Sequence, residues 1–168
     1  MNKKKIFAVA IVVLAVFCSL SVASAGLFDF LGGGSQTVSN KTVSFDSFTL
    51  QLPEDTTFNN RTALDDGQIK VMIFEAQSKA ANMNIRVSTT TGQGLIHSAQ
   101  RYADNMVADG GVILENHSGW IVLDLSHASQ TETPMKYLLT LHDGSCLITI
   151  EGNNVTELEH IADTYQKA

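Results

Sequence analysis

Short runs of alternating apolar and polar residues, separated by turn-forming dipeptides, recur through most of this chain. From Val43 onward, Phe48, Leu50 and Leu52 project to one side of an extended segment. Ser47, Thr49 and Gln51 take the other side, and Pro53 ends the run. Ile69, Val71 and Ile73 repeat the pattern after an Asp65-Asp66-Gly67 turn, and Met83, Ile85 and Val87 repeat it again. Residues 112–116 and 120–125 read as two strands joined at Ser118-Gly119. Asp143-Gly144 fits a two-residue type I′ turn between two apolar runs. That register pairs His142 with Ser145, Leu141 with Cys146, Leu139 with Ile148 and Tyr137 with Ile150, and ends with Lys136 opposite Glu151. Period-two patterning this frequent commits the chain to a sheet that is largely antiparallel.

The period changes twice. Ile96, Ala99, Ala103, Met106 and Val107 share one helical face, with Arg101, Asp104 and Asn105 opposite and Gly110-Gly111 closing the helix. Near the end, Asn154 is a good N-cap with Glu157 three residues later. Val155, Leu158, Ile161, Ala162 and Tyr165 form the apolar stripe of a final helix. The order of elements gives an α+β domain, a mainly antiparallel sheet with two helices packed on it.

The first 25 of the 168 residues have the three parts of an export signal. Lys3, Lys4 and Lys5 precede an apolar stretch over residues 6–18, and Ala23-Ser24-Ala25 offers small-residue cleavage after Ala25. Residues 26–41, with Gly32-Gly33-Gly34-Ser35, read as a flexible tether, and residues 42–168 as one domain. The apolar segment approaches the length of a spanning helix, so an uncleaved anchor competes with cleavage. Phe17 before Cys18 does not suit lipid attachment. Once the signal leaves, Cys146 is the sole cysteine and no internal disulfide can form. Loss of the three lysines takes the net charge from −6 to −9, with no basic cluster to neutralise phosphates, which excludes a nucleic-acid binder.

The segment Phe48-Thr49-Leu50-Gln51-Leu52-Pro53, with Leu158-Glu159-His160-Ile161-Ala162 in the last helix, resembles the PsbP-like family of exported accessory proteins. The resemblance covers residues 42–168. It implies an antiparallel sheet flanked by helices and a non-catalytic accessory or binding role, and it brings no catalytic or ligand residues with it.

Residue types able to do chemistry are present without the spacing that chemistry needs. His97, His117, His127, His142 and His160 form no close metal-ligand pattern, so no metal and no cofactor is expected. Asp65-Asp66-Gly67 lacks the regularly spaced acids of a calcium loop. Gly92-Gln93-Gly94 has His97 where a dinucleotide fingerprint needs its third glycine. Strand alternation puts Cys146 and His142 on opposite faces, and separates His127 from Asp124 and Ser126, so neither set forms a nucleophile with its base. Trp120 is expected under a helix, with an exposed aromatic contact as the alternative. Four Asn-x-Ser/Thr acceptors occur. Asn40 and Asn60 read as loop sites, Asn116 is a third, and Asn154 is occupied as a cap.

The expectation is an exported, non-catalytic binding or accessory module, secreted or held at the cell surface, whose partner is a protein, an envelope component or a small ligand. It touches a membrane only if the N-terminal segment is retained, as a subunit of an envelope complex. The third reading is an envelope hydrolase assembled from His142, His117 and nearby acids.

Overall fold

The computed structural model describes residues 39–92, 98–128 and 135–168. In chain order these form β1 (Asn40–Phe45), β2 (Phe48–Pro53), β3 (Thr57–Asp65), β4 (Ile69–Ser78), β5 (Met83–Gly92), α1 (Ala99–Ala108), β6 (Val112–His117), β7 (Trp120–Asp124), β8 (Tyr137–His142), β9 (Cys146–Gly152), α2 (Val155–Asp163) and β10 (Gln166–Lys167). They fall into two compact units, one of β1, β2 and β10 and one spanning Asp55–Asp163.

In the first unit β2 lies between β1 and β10, and both pairings are antiparallel. The alternation that reads as one strand from Val43 is a hairpin. Asp46 and Ser47 make the turn, and Phe45 pairs with Phe48, their rings stacked 4.8 Å apart. A two-residue turn leaves a period-two pattern in phase, so alternation alone cannot reveal it. Phe48, Leu50 and Leu52 share a face and are fully buried. Tyr165, expected on the last helix, lies beyond its end and packs on the Phe48 ring at 5.7 Å. Thr164 secures the return, its hydroxyl accepting the Gln51 N–H at 2.8 Å.

The second unit is a seven-stranded antiparallel sheet in the order β3-β4-β5-β9-β8-β7-β6. The two helices lie on opposite faces of it. Ala103 of α1 joins Ile121, Leu123, Leu125 and Leu138 in one buried cluster, with Ala99, Tyr102 and Met106 against it. On the other face Leu158 of α2 closes over Gly152, where an added Cβ would lie 3.0 Å from the leucine and 3.3 Å from Ile85. Trp120 is on this second face and is buried. Ser98 caps α1 by accepting the Arg101 N–H at 3.1 Å. The Gly110 and Gly111 N–H groups close it by donating to Val107 and Met106 carbonyls. Val107, expected on the packed face, is 43% exposed. At eight residues from Ala99 it is rotated about 80° round the helix, and Tyr102 takes the buried position instead.

The β8–β9 hairpin has a wider loop than Asp143-Gly144 suggests. His142 pairs with Leu147 and Leu141 with Ile148, two residues from the expected register. The Asp143 carboxylate accepts the N–H groups of Ser145 and Cys146, both at 2.8 Å, and so holds a four-residue loop. A shift of two preserves the faces, so Leu139, Leu141, Ile148 and Ile150 remain together. It also moves Glu151 away from Lys136. Glu151 lies opposite Leu138 on one side and Arg86 on the other, and Arg86 sits 3.6 Å from both Glu151 and Glu75. Burial raises the Glu151 carboxyl despite Arg86. Burial and the Glu151 charge push Tyr102 up to about 12. Replacing Arg86 by Met leaves the half-buried carboxylates unpaired and should cost about 3 kcal/mol in urea unfolding; adding Glu151→Gln should recover most of it.

Asn154 caps α2, its side-chain oxygen accepting the Glu157 N–H at 3.3 Å. Glu157 itself is 7% exposed, and burial raises its carboxyl to about 7. The folded state therefore holds this proton more tightly than the unfolded chain does. The associated stability is fully present below the unfolded carboxyl range and is lost as pH rises through about 7. Glu157→Gln should remove that slope, so that its stability relative to the parent is about 2–3 kcal/mol more favourable at pH 8 than at pH 4. Urea midpoints of both proteins across this range provide the check.

Candidate functional site

The two edges of the seven-stranded sheet differ in chemistry. β3 forms one edge and carries Asn59, Asn60, Arg61, Thr62 and Asp65, all exposed. Charged and polar side chains of this kind discourage pairing with another chain. β6 forms the other edge. Its first three residues, Val112, Ile113 and Leu114, are 52%, 38% and 48% exposed, and Val107 at the end of α1 adds to them. The pairing of β6 with β7 is irregular between Ile113 and Glu115, so Leu114 has no direct partner on β7. Among the described residues no strand pairs with the outer side of β6.

The far end of β6 meets the C-terminal turn of α2. The β6–β7 turn is Ser118-Gly119, both with positive φ, and Asn116 steadies it by accepting the Gly119 N–H at 3.1 Å. Asp163 Oδ1 lies 2.9 Å from His117 Nε2 and accepts the Ser118 hydroxyl at the same distance. The hydroxyl is thus directed at the carboxylate and not at the imidazole, an arrangement that anchors a turn and does not activate a nucleophile. Beside it Glu115 and Glu159 hydrogen-bond carboxyl to carboxyl. Burial first, and hydrogen bonding to Glu115 second, hold Glu159 above the usual carboxylate range, against the lowering effect of His117 and His160. His160 adds a buried Nε2 with no hydrogen-bond partner among the described residues. No group of three His, Cys, Asp or Glu among the described residues is placed to hold a metal ion.

The other candidate residues lie apart from this site. His142 and His117 are at the same end of the sheet but on opposite faces, which separates the two histidines of the hydrolase reading. His142 Nδ1 accepts the Gly144 N–H at 3.2 Å, while Cys146 is buried on the opposite face. Asp124 accepts both the N–H and the hydroxyl of Ser126, which lower its pKa, so these residues build a turn. Asp66 accepts the N–H groups of Gln68 and Ile69 and is lowered by them in the same way. Asn40 and Asn60, expected in loops, lie in β1 and β3; their polar surroundings do not register as strand in a periodicity count. Asn40 is buried, whereas Asn60 and Asn116 are exposed. Ala25, Gln93, Gly94 and His97 fall outside the described residues.

Glu115, Glu159 and Asp163 carry no sequence signal, because the fold brings together residues far apart in the chain. The apolar edge does carry one: three consecutive apolar residues, Val112-Ile113-Leu114, break the alternation.

Gly92 is needed by backbone geometry. Its φ is +123°, and an added Cβ would fall 2.0 Å from the Gln68 carbonyl oxygen. Gly92→Ala should destabilise the protein by about 2 kcal/mol or more, read as a lower thermal midpoint.

No family model, no curated protein and no solved structure matches the chain, so the role of the edge and its acidic end rests on their own chemistry.

Proposed function

We propose that this protein is an exported, non-catalytic binding or accessory module, working at the cell surface or released from it, with the β6 edge as its contact surface. The observation that carries the reading is the apolar, unpaired edge itself, since protein sheets ordinarily blunt such edges. The N-terminal sequence supports export, with its three lysines, apolar stretch and Ala23-Ser24-Ala25. The proposal extends to a PsbP-like kind of accessory fold. Support for this comes from the buried Phe48, Leu50 and Leu52 on β2, and from Leu158, Ile161 and Ala162, buried on α2. Asn60 and Asn116 are the acceptors best exposed for glycosylation in a host that performs it.

Intact mass of the native protein, measured separately from washed membranes and from the medium, tests the reading. A chain starting at Gly26 in the medium is the expected result, with added hexose-sized mass if Asn60 or Asn116 is used. A full-length chain confined to membranes would replace release with anchoring through residues 6–23. Reproducible turnover in a broad hydrolase screen would overturn the non-catalytic part.

A further inference from the structure

We infer that the free edge of β6 takes up an extended polypeptide segment as an added strand, and that this segment alternates apolar with basic side chains. The inference rests on reading that edge as the binding surface and adds the chemistry of the partner.

An edge strand offers backbone N–H and C=O groups along its length, and β6 with its six residues provides about 20 Å of them. Side chains of an added strand project alternately to the two faces of the sheet. On the α1 face they meet Ile113, with Val107 exposed on the neighbouring helix. On the α2 face, toward His117, they meet Glu115 with Glu159 behind it. The α1 face therefore offers Ile113, followed by Asn116, to apolar side chains, while Val112 and His117 flank Glu115 on the α2 face. That face presents two carboxyl groups close enough to share a proton, and neither has a lysine or arginine within ion-pair distance among the described residues. A lysine or arginine arriving there would form a charge-assisted pair with these carboxyl groups.

The same charges argue against a second copy of this chain as the occupant. Each copy carries a net charge of −6, or −9 without residues 1–25, and an antiparallel pairing of two β6 strands would bring the Glu115 residues near one another without a lysine or arginine to compensate. The opposite edge is more polar, for β3 carries Asn59, Asn60, Arg61, Thr62 and Asp65 exposed and a single large exposed apolar residue, Leu64 at 43%.

The test uses the full-length chain and three short synthetic peptides: one alternating valine and lysine, one alternating valine and glutamate, and the first again with central prolines that cannot pair. The valine–lysine peptide should bind more tightly than the valine–glutamate peptide by about tenfold at low salt, with the difference shrinking at high salt. It should slow hydrogen exchange at β6 amides. Leu114→Lys should abolish binding; because Leu114 is exposed, exchange at the central strands should show the fold intact. Glu159→Gln should keep binding but reduce the preference for lysine. Equal binding of the proline peptide would overturn strand addition, and equal binding of the glutamate peptide would overturn the basic partner. Absence of binding by any peptide would overturn the inference as a whole. So would β6 amides protected without peptide in a concentration-dependent dimer. None of these results bears on export, which the intact-mass measurement decides separately.

Discussion

The pairing of β5 with β9 joins the two halves of the larger sheet. The strands β3, β4 and β5 form one meander and β6 to β9 another; every other neighbour in the sheet is also a neighbour in sequence. The β5–β9 ladder runs from Thr91 opposite Cys146 to Ile85 opposite Gly152, and closing it requires ordering all the chain between. Its side chains fit that demand. Val87 and Ile150 are directly paired and fully buried on one face, while Arg86 meets Glu151 on the other. A slip of one residue would exchange these two faces, burying ions in the apolar layer and exposing the aliphatic residues.

Both helices take their positions from this ladder. α1 follows β5 and covers the face of Leu123 and Leu138, while α2 follows β9 and covers the face of Gly152 and Ile85. Helices on opposite faces bury the middle of the sheet and leave its two ends to manage themselves. β3 does so with polar residues. β6 does not: its first three residues are apolar and exposed, and its far end meets the C-terminal turn of α2. An apolar edge carries a risk of unwanted pairing, which makes its retention the most informative surface feature of the molecule.

The polar residues that suggested chemistry act largely as turn builders. Asp66, Asp124 and Asp143 accept backbone N–H groups in their own turns, and Asp55 accepts those of Lys79 and Ala80 in the β4–β5 turn; the Ser78 hydroxyl for Asp55, the Ser126 hydroxyl for Asp124 and the backbone N–H groups for Asp66 are the main cause of their lowered carboxyl groups. His142 accepts the Gly144 N–H in the same way, while the Ser118 hydroxyl ties its turn down by donating to Asp163. An antiparallel sheet with many short connections needs many such groups, because each tight turn leaves backbone donors without ladder partners.

The sequence by itself determined which segments are strands and helices wherever a buried face imposes a period. Phe48, Leu50 and Leu52, Met83, Ile85 and Val87, and the stripe of α2 through Leu158 and Ile161 are all legible for that reason. Asp65-Asp66-Gly67 and Ser118-Gly119 were legible as turns, because only a few residue types accept those backbone angles. The polar edge strand β3, the two-residue strand β10 and the four-residue loop at Asp143 were not, since water or one side-chain hydrogen bond decides them and neither leaves a period. The placing of the helices on opposite faces, the Glu75–Arg86–Glu151 ladder and the meeting of Glu115 with Glu159 were decided only in three dimensions. They depend on which strands become neighbours, and local pattern records what a segment buries but not what it is buried against.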